Sequence, residues 1–270
     1  MVPSGLCRRA ISVFKPSIRL WAPVSSSRCA PSQVTQRLAQ PSRFSLITQN
    51  LDAFSSRPIA RAKLLLDGIL KKSKYSGVIF LQEVTSDVHT AIRANPKVRE
   101  AFLVTDAQDQ TLFEGVPFVN MTLLSSKRFA FDLESQKEKE GGNQRGEKFV
   151  LGPVSRIEFP SKYGRCALSV DIIPPSTPST PIATYRLINV HLDSLGDTLR
   201  YRTEQLEILA NFLREPGCAG GLIAGDFNAI SFDDHALLDK NGLVDAWVML
   251  YGEEGPDGAT WGVGWNEMIH

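Results

Sequence analysis

The chain has 270 residues, of which 43% are hydrophobic and 22% charged, and its formal net charge is +1. This length and apolar content are enough to bury a sizeable core, as one large domain or two small ones. The apolar runs stay well short of the roughly 18 consecutive residues that a membrane-spanning helix needs, so the sequence predicts a protein without a membrane span.

The charge is distributed unevenly along the chain. Seven basic residues and no acidic residue precede Asp52, which leaves a formal net charge of −6 for the remainder. Broad nucleic-acid binders carry a basic patch or stripe, so this composition argues against one. A polyanionic substrate would have to be held locally, by a divalent cation and a few Arg or Lys side chains.

The first 42 residues are rich in Arg, Ser and Pro and contain no acidic residue. We expect residues 1–42 to form a disordered basic extension in front of a single catalytic domain at residues 43–270. A mitochondrial transit peptide is the alternative interpretation of the extension. The four cysteines are scattered, without the spacing of a zinc site or a disulfide scaffold. This predicts an intracellular protein, with the nucleus or cytoplasm favoured and the mitochondrion as the alternative.

The domain begins with a predicted strand, a helix and a second strand. An apolar run at 44–48 is followed by helical spacing of apolar residues over 59–70 and by a second apolar run at 78–81. Short apolar runs with polar flanks are typical of buried strands, so this rhythm indicates α/β layering. Short strand candidates then follow, interrupted by a charge-dense loop at 134–148 and a Pro-rich loop at 174–181.

The strongest helix signal lies at 198–214, where apolar residues recur on one face and Gly217 follows as a stop. Its polar residues Arg200, Arg202 and Gln205 are expected to be solvated. Apolar runs on either side of this helix predict two more strands. Many short strands with interposed helices favour an α+β fold, a two-layer β-sandwich of mixed sheets flanked by helices.

Four of the predicted strands end in polar residues that suit metal-dependent phosphate chemistry. A side chain at such an exit lies at the rim of the core, where rigid elements can direct it at a substrate. One such exit means little, because polar residues commonly end strands, but four together favour a joint functional site. The residues are Asn50, Glu83, His191 and the pair Asp226 and Asn228.

Each residue type has a role in that chemistry and an ordinary structural alternative. Glu83 offers the oxygen ligand that Mg²⁺ prefers, and Asn50 could orient Glu83 or contact the metal; a surface Glu and a turn Asn are the alternatives. Asp226 and Asn228 share one face of an extended segment and could hold a water and a phosphate oxygen, whereas an Asx turn is the alternative. His191 could donate to a phosphate oxygen or be a core histidine.

Four motifs cover these positions, with two shorter ones towards the C-terminus. They are Thr48-Gln49-Asn50-Leu51-Asp52, Phe80-Leu81-Gln82-Glu83-Val84, His191-Leu192-Asp193-Ser194, Gly225-Asp226-Phe227-Asn228, Asp245-Ala246-Trp247 and Thr260-Trp261. Over about residues 43–262 they resemble the endonuclease/exonuclease/phosphatase superfamily, and within it the 5′-tyrosyl-DNA phosphodiesterase branch and its fungal-type relatives. The resemblance implies a two-sheet sandwich and Mg²⁺-dependent cleavage of phosphate esters, with Mn²⁺ as an alternative ion.

The resemblance also implies roles for individual residues. Glu83 would be the metal ligand, aided by Asn50. Asp226 would position or activate the attacking water, and His191 and Asn228 would contact the phosphate.

Two further residues match substrate-binding positions of the family, Ser194 as a contact and Trp261 as a wall of the substrate groove. The sequence departs from the family at Ile230, where the animal enzymes carry Arg. It also ends at His270 without the family's Ser-Asp-His strand. We therefore expect the final strand or strands of the sandwich to be absent, a sheet edge to be unpaired and the activity of this shortened chain to be low.

These observations predict a metal-dependent phosphodiesterase, with 5′-phosphotyrosyl ends of DNA or RNA as the best candidate substrate and DNA repair as its setting. The expected partner is a nucleic acid that carries a 5′-adduct, and no obligate protein partner is implied. One alternative is another phosphoesterase of the superfamily, such as a nuclease, a phosphoinositide phosphatase or a sphingomyelinase-like enzyme. The other is an inactive, truncated relative that binds nucleic acid.

Overall fold

The computed structural model describes residues 5–24, 44–72, 76–109, 111–131, 148–175, 183–253, 255 and 257–260. These residues form two β-sheets of six strands each. The first sheet contains β1 (Leu6–Arg9), β8 (Phe129–Ala130), β9 (Phe149–Glu158), β10 (Cys166–Ile173), β11 (Thr184–His191) and β12 (Cys218–Asp226). The second sheet contains β2 (Ile11–Lys15), β3 (Leu20–Val24), β4 (Ser45–Asn50), β5 (Ser76–Val84), β6 (Phe102–Thr105) and β7 (Val119–Ser125).

Helices accompany both sheets. They are α1 (Pro58–Lys72), α2 (Ser86–Ala94), α3 (Pro96–Ala101), α4 (Leu199–Leu213), α5 (Phe232–Lys240) and α6 (Ala246–Tyr251), with a 3-10 turn at Gly196–Thr198. Within the described ranges, none of them is both long enough and apolar enough to cross a membrane.

Both sheets are mixed. The first runs β1-β9-β10-β11-β12, with β8 paired to β9, and the second runs β3-β2-β6-β7-β5-β4. The pairs β4/β5, β8/β9 and β11/β12 are parallel, and the other neighbouring strands are antiparallel. The expected α+β sandwich of mixed sheets flanked by helices is therefore confirmed.

The alternation of side chains along β5 connects two hydrophobic cores. Val78 and Phe80 belong to the core between the two sheets, whereas Ile79 and Leu81 belong to the core that α1, α2 and α3 cover. A third core lies between the first sheet and helices α4 and α5. Because both faces of β5 are covered, its apolar run is continuous, which is the pattern that predicted the strand.

The expected disorder of the N-terminal extension is wrong for residues 6–24. There β1 pairs with β9, and β2 pairs with both β3 and β6, so both sheets include N-terminal strands. Ile11 packs into the core between the sheets, and Trp21 packs with the half-buried Phe14 into the core beneath the helices. These buried side chains supply the apolar packing that a disordered segment lacks, in spite of a composition rich in Arg and Pro. Residues 1–4 and 25–43 lie outside the described residues.

The two sheets contain equivalent β–α–β units, β4–α1–β5 and β11–α4–β12, each with a parallel pair of strands. Strand β5 also pairs with β7, whereas β12 has no second partner among the residues that the structure describes. Leu222 of β12 is 41% exposed. Among the described residues, β12 is therefore an edge strand of the first sheet.

Candidate active site

The two parallel strand pairs bring four of the predicted site residues together. Asn50 ends β4 and Glu83 lies near the end of β5, while His191 ends β11 and Asp226 ends β12. Each parallel pair presents its two carboxyl ends at one edge of its sheet, and a hydrogen bond between Asn50 and Asp226 joins the two edges. The cluster is therefore assembled from both sheets.

A short network connects the four side chains. Asn50 Nδ2 donates to Glu83 Oε1 at 3.0 Å and to Asp226 Oδ2 at 2.8 Å. His191 Nε2 lies 3.7 Å from Glu83 Oε1 and 3.8 Å from Asp226 Oδ2. The amide oxygen of Asn50 accepts from the main-chain N–H of Asp52. As placed, Asn50 therefore orients the two carboxylates.

Unusual backbone conformations surround the cluster. Glu83, Asp52, Leu195 and Asn228 have φ angles of 55°, 58°, 77° and 49°. Non-glycine residues seldom adopt this region because it costs free energy, and residues held in it cluster at functional sites. At Glu83 the pairing of β5 with β7 shifts register, as in a bulge that redirects a side chain. The Ala53 main-chain N–H donates to Glu83 Oε2 at 2.7 Å and fixes the redirected carboxylate.

Gly225 lets β12 approach β11 closely just before Asp226. Its φ is 147°, and a Cβ atom at this position would lie 2.0 Å from the carbonyl oxygen of Val190. No side chain fits there, so the Gly-Asp sequence has a packing reason. The close approach sets the register that pairs His191 with Asp226.

His191 is buried and neutral near pH 7. Its side chain is 4% exposed, and burial, followed by the charge of Arg165, lowers its pKa from 6.5 to about 4. Arg165 Nη1 lies 3.2 Å from His191 Nδ1. Because a guanidinium group can only donate, Nδ1 accepts and Nε2 carries the ring proton. The site thus has a neutral N–H donor directed at two carboxylates.

Arg165 lies at the site, although the sequence did not predict it. It lies in the loop before β10, and its guanidinium carbon is 4.8 Å from the ring centroid of Phe118. Phe118 is stacked on His191, with ring centroids 5.7 Å apart and an interplanar angle of 20°. These residues and Tyr163 line a small pocket. No local motif distinguishes a loop arginine of this kind from a solvated one.

Asn228 lies beside the cluster but is committed to the main chain. Its Nδ2 donates to the Leu192 carbonyl at 2.9 Å, and its own N–H donates to Asp226 Oδ1 at 3.0 Å. As placed, Asn228 fixes Asp226 and the loop that follows His191. Its expected contact with the phosphate stays a prediction.

Of the two predicted substrate-binding residues, the structure describes Ser194. Ser194 is half-buried in the loop after β11, and its carbonyl accepts from Thr198 Oγ1 at 2.6 Å. Trp261 lies outside the described residues. Ile230, the departure from the family pattern, is 51% exposed and donates from its main chain to Asp234.

A buried polar layer lies directly beneath the cluster. Gln82 Nε2 donates to Asn189 Oδ1 at 2.7 Å and to Thr48 Oγ1 at 3.0 Å. Asn189 Nδ2 donates in turn to the Met121 carbonyl at 3.0 Å. An amide left unsatisfied in the interior is costly, so these bonds fix the spacing of the sheets below the site.

Two residues of α4 that were expected to be solvated are buried. Arg202 is 1% and Gln205 is 0% exposed. Arg202 forms a two-point ion pair with Asp234 of α5 and also donates to the carbonyls of Asp193 and Leu195. The helix therefore holds the loop after β11 through a buried guanidinium, which helical spacing alone does not reveal.

The donor set fits a divalent cation. Glu83, His191 and Asp226 bring two carboxylate oxygens and a ring nitrogen within 4.8 Å of one another, and with Nε2 protonated the two carboxylates are the groups free to bind an ion. The two carboxylates share one amide donor, and a cation between them would offset their mutual repulsion. Mg²⁺ binds through one or two carboxylates and keeps several waters, so the pair suits it.

Comparisons with known proteins establish the fold. No protein-family model and no curated protein matches the sequence. Many solved structures resemble it, among them three of TDP2. A humanized TDP2 from D. rerio is 19% identical over 78% of this chain and 73% of its own, with a TM-score of 0.53. TDP2 from D. rerio complexed with a single-strand DNA product is 20% identical over 78% and 71%, also at 0.53. TDP2 from C. elegans is 18% identical over 77% and 54%, at 0.51.

The chain therefore has the fold of these structures, with the two-sheet sandwich that its motifs predicted. Among solved structures with this fold, it is similar to the TDP2 structures of D. rerio and C. elegans.

Proposed function

We propose that the chain is a divalent-metal-dependent phosphodiesterase that cleaves phosphate esters of nucleic acids. The observation that supports this most strongly is the convergence of Asn50, Glu83, His191 and Asp226 from four strand ends. Phosphoryl transfer depends on positioning and on neutralising charge, and this cluster offers groups for both.

Glu83 would hold the metal ion, Mg²⁺ or alternatively Mn²⁺, with Asn50 orienting the carboxylate. A divalent ion bound there supplies positive charge for the phosphate oxygens. Asp226 is fixed by hydrogen bonds from Asn50 and from the main chain of Asn228, so its carboxylate is positioned to accept the proton of an attacking water.

His191 and Arg165 would act on the phosphate. The neutral imidazole donates from Nε2 to a non-bridging oxygen, because Nδ1 is directed at the guanidinium. Arg165 adds a positive charge that partly offsets the charge developing on the phosphate. Its place against Phe118 keeps the guanidinium close to the imidazole.

Within this class, a 5′-phosphotyrosyl end of DNA or RNA is the best candidate substrate, and the setting would be DNA repair in the nucleus or cytoplasm. The similarity to TDP2, including a structure complexed with a single-strand DNA product, supports this choice. Ser194 and Trp261 remain the proposed additional substrate contacts.

A second candidate keeps the chemistry and changes the ester. Ile230 replaces the family's Arg, is 51% exposed and supplies no cation at that position. A phosphodiester in a nucleic-acid strand, a phosphoinositide or a sphingomyelin headgroup would then be the substrate.

The test is release of tyrosine from a 5′-tyrosyl oligonucleotide, with Mg²⁺ and with chelator. Glu83→Ala and Asp226→Asn are expected to lower the rate by at least about 100-fold, because each removes a group that acts on the reacting atoms. Asp239→Asn, which changes an exposed carboxylate of α5, is the matched control. Metal-dependent release that survives in both site variants contradicts the assignment. Cleavage of another ester without tyrosine release would retain the chemistry and reject the substrate.

A further inference from the structure

Phe54 is a solvent-exposed aromatic residue beside the candidate active site. It lies four residues after Asn50, and 81% of it is exposed. An isolated exposed apolar residue is common and needs no explanation. The contacts and the fixed position of Phe54 set it apart from that ordinary case.

A line of aromatic rings connects Phe54 to the imidazole of the site. Its ring centroid lies 6.0 Å from that of Phe118, with an interplanar angle of 90°. Phe118 is itself stacked on His191. The edge-to-face contact leaves most of the Phe54 surface open to solvent, within two ring contacts of the proposed phosphate donor.

The loop that carries Phe54 is held by the site itself. The Ala53 main-chain N–H donates to Glu83 Oε2, and Asp52 donates from its main chain to Asn50 Oδ1. The Ser55 N–H closes a turn onto the Asp52 carbonyl. The main chain on both sides of Phe54 is therefore held by the residues that would bind the metal, which fixes the point from which the ring projects.

We propose that Phe54 is a stacking platform for a flat aromatic ring of the substrate next to the reacting phosphate. The inference rests on the proposed function and names a specificity-determining residue for it. Two parts of such a substrate carry a flat ring, the nucleobase of the terminal nucleotide and the phenol ring of a tyrosyl leaving group. Phenylalanine offers a ring face without hydrogen-bonding groups, so it stacks without selecting among bases.

Binding of a single-stranded oligonucleotide with a 5′-phosphate tests whether Phe54 stacks on the terminal nucleobase, without requiring turnover. The probe carries a 3′-fluorophore, and its anisotropy is titrated in Mg²⁺ with the normal terminal nucleotide or an abasic one. For the normal probe, Phe54→Ala should weaken binding about ten-fold and Phe54→Trp should preserve it. Leu64→Ala, which removes an exposed apolar side chain from α1, is the control.

Hydrolysis of 5′-tyrosyl and 5′-alkyl esters of the same strand tests whether Phe54 stacks on the phenol ring of the leaving group. An effect of Phe54→Ala that disappears with the abasic strand assigns the platform to the nucleobase. One that disappears with the alkyl ester assigns it to the phenol ring. No effect on either ring-bearing substrate overturns the proposal, and so does an equal loss with every substrate. Absence of tyrosine release by the unsubstituted chain would reject the proposed activity and leave the binding result to be judged separately.

Discussion

Asn50 donates a hydrogen bond of 2.8 Å to Asp226, a residue 176 positions further along the chain and in the other sheet. The same amide nitrogen donates to Glu83 within its own sheet. One side chain therefore sets the separation of two carboxylates that belong to different layers of the sandwich. Asn50 is thus a positioning residue for both carboxylates.

Replacement of Asn50 by Ala should separate the two carboxylates and lower kcat by roughly 100-fold, because small misplacements of reacting groups have effects of that size. Thermal unfolding should change little, since Asn50 is half-buried and its hydrogen bonds lie at the rim. Steady-state kinetics and calorimetry on the same preparation check both parts. An unchanged kcat would show that Asp226 and Glu83 hold their positions without the amide.

Replacement of Gly225 by Ala should destabilise the first sheet. The new Cβ atom would lie 2.0 Å from the Val190 carbonyl oxygen, so β11 and β12 must move apart and take His191 and Asp226 out of register. We expect a loss of about 1–3 kcal/mol in the free energy of unfolding together with loss of activity. Denaturant titration provides the measurement. Gly196→Ala is the control, because a Cβ atom there meets nothing within 4 Å.

Acidification should destabilise the protein partly through His89. Burial, followed by the charge of Arg93, lowers the pKa of this histidine from 6.5 to about 4, with Asp109 acting in the opposite direction. Between these pH values the unfolded chain binds the proton and the folded chain does not. Neutral His89 therefore makes its full contribution to the free energy of unfolding above about pH 6.5. As the pH falls towards 4, that free energy decreases by up to about 3 kcal/mol.

The variant His89→Phe should show a smaller loss of unfolding free energy between pH 7 and pH 4, because a phenyl ring can keep the edge contact with Phe113 and has no proton to gain. Urea titrations at several pH values measure this difference. His235→Gln changes an exposed histidine of α5 and serves as the comparison. Parallel pH profiles of the parent and His89→Phe would contradict the prediction.

The variant Arg202→Met, which removes the buried guanidinium, should lower the free energy of unfolding by about 3–5 kcal/mol, since Asp234 would be left buried without its ionic partner. The double variant Arg202→Met, Asp234→Leu should recover much of this loss. Hydrogen exchange of the loop at 193–198 should speed up in both variants, because Arg202 donates to its carbonyls. Equal stability of the single and double variants would show that the ion pair is not the cause.

The sequence was sufficient for the parts of the molecule that local patterns determine. The run at 78–81 predicted β5, and polar residues at strand exits predicted a cluster that the fold assembles from Asn50, Glu83, His191 and Asp226. The strand follows from its pattern because a buried strand must be apolar along its length, and the four side chains meet because they are attached to rigid strand ends.

Other features depend on contacts between distant segments. The pairing of β1 with β9 and of β2 with β6 is not visible in a segment whose composition resembles a disordered extension. Arg202 is buried because Asp234, 32 residues away, satisfies it. Arg165 reaches His191 only through the packing of a loop that carries no motif of its own.

The site draws its residues from both sheets, and the bond between Gln82 and Asn189 holds those sheets together just below it. A compact state that kept its strands but loosened the packing between the layers would lose the cluster while retaining much of its secondary structure. Catalysis would then report on tertiary order more sensitively than far-ultraviolet circular dichroism. Partial loss of activity on mild heating or at low denaturant concentration would mark the first separation of the layers.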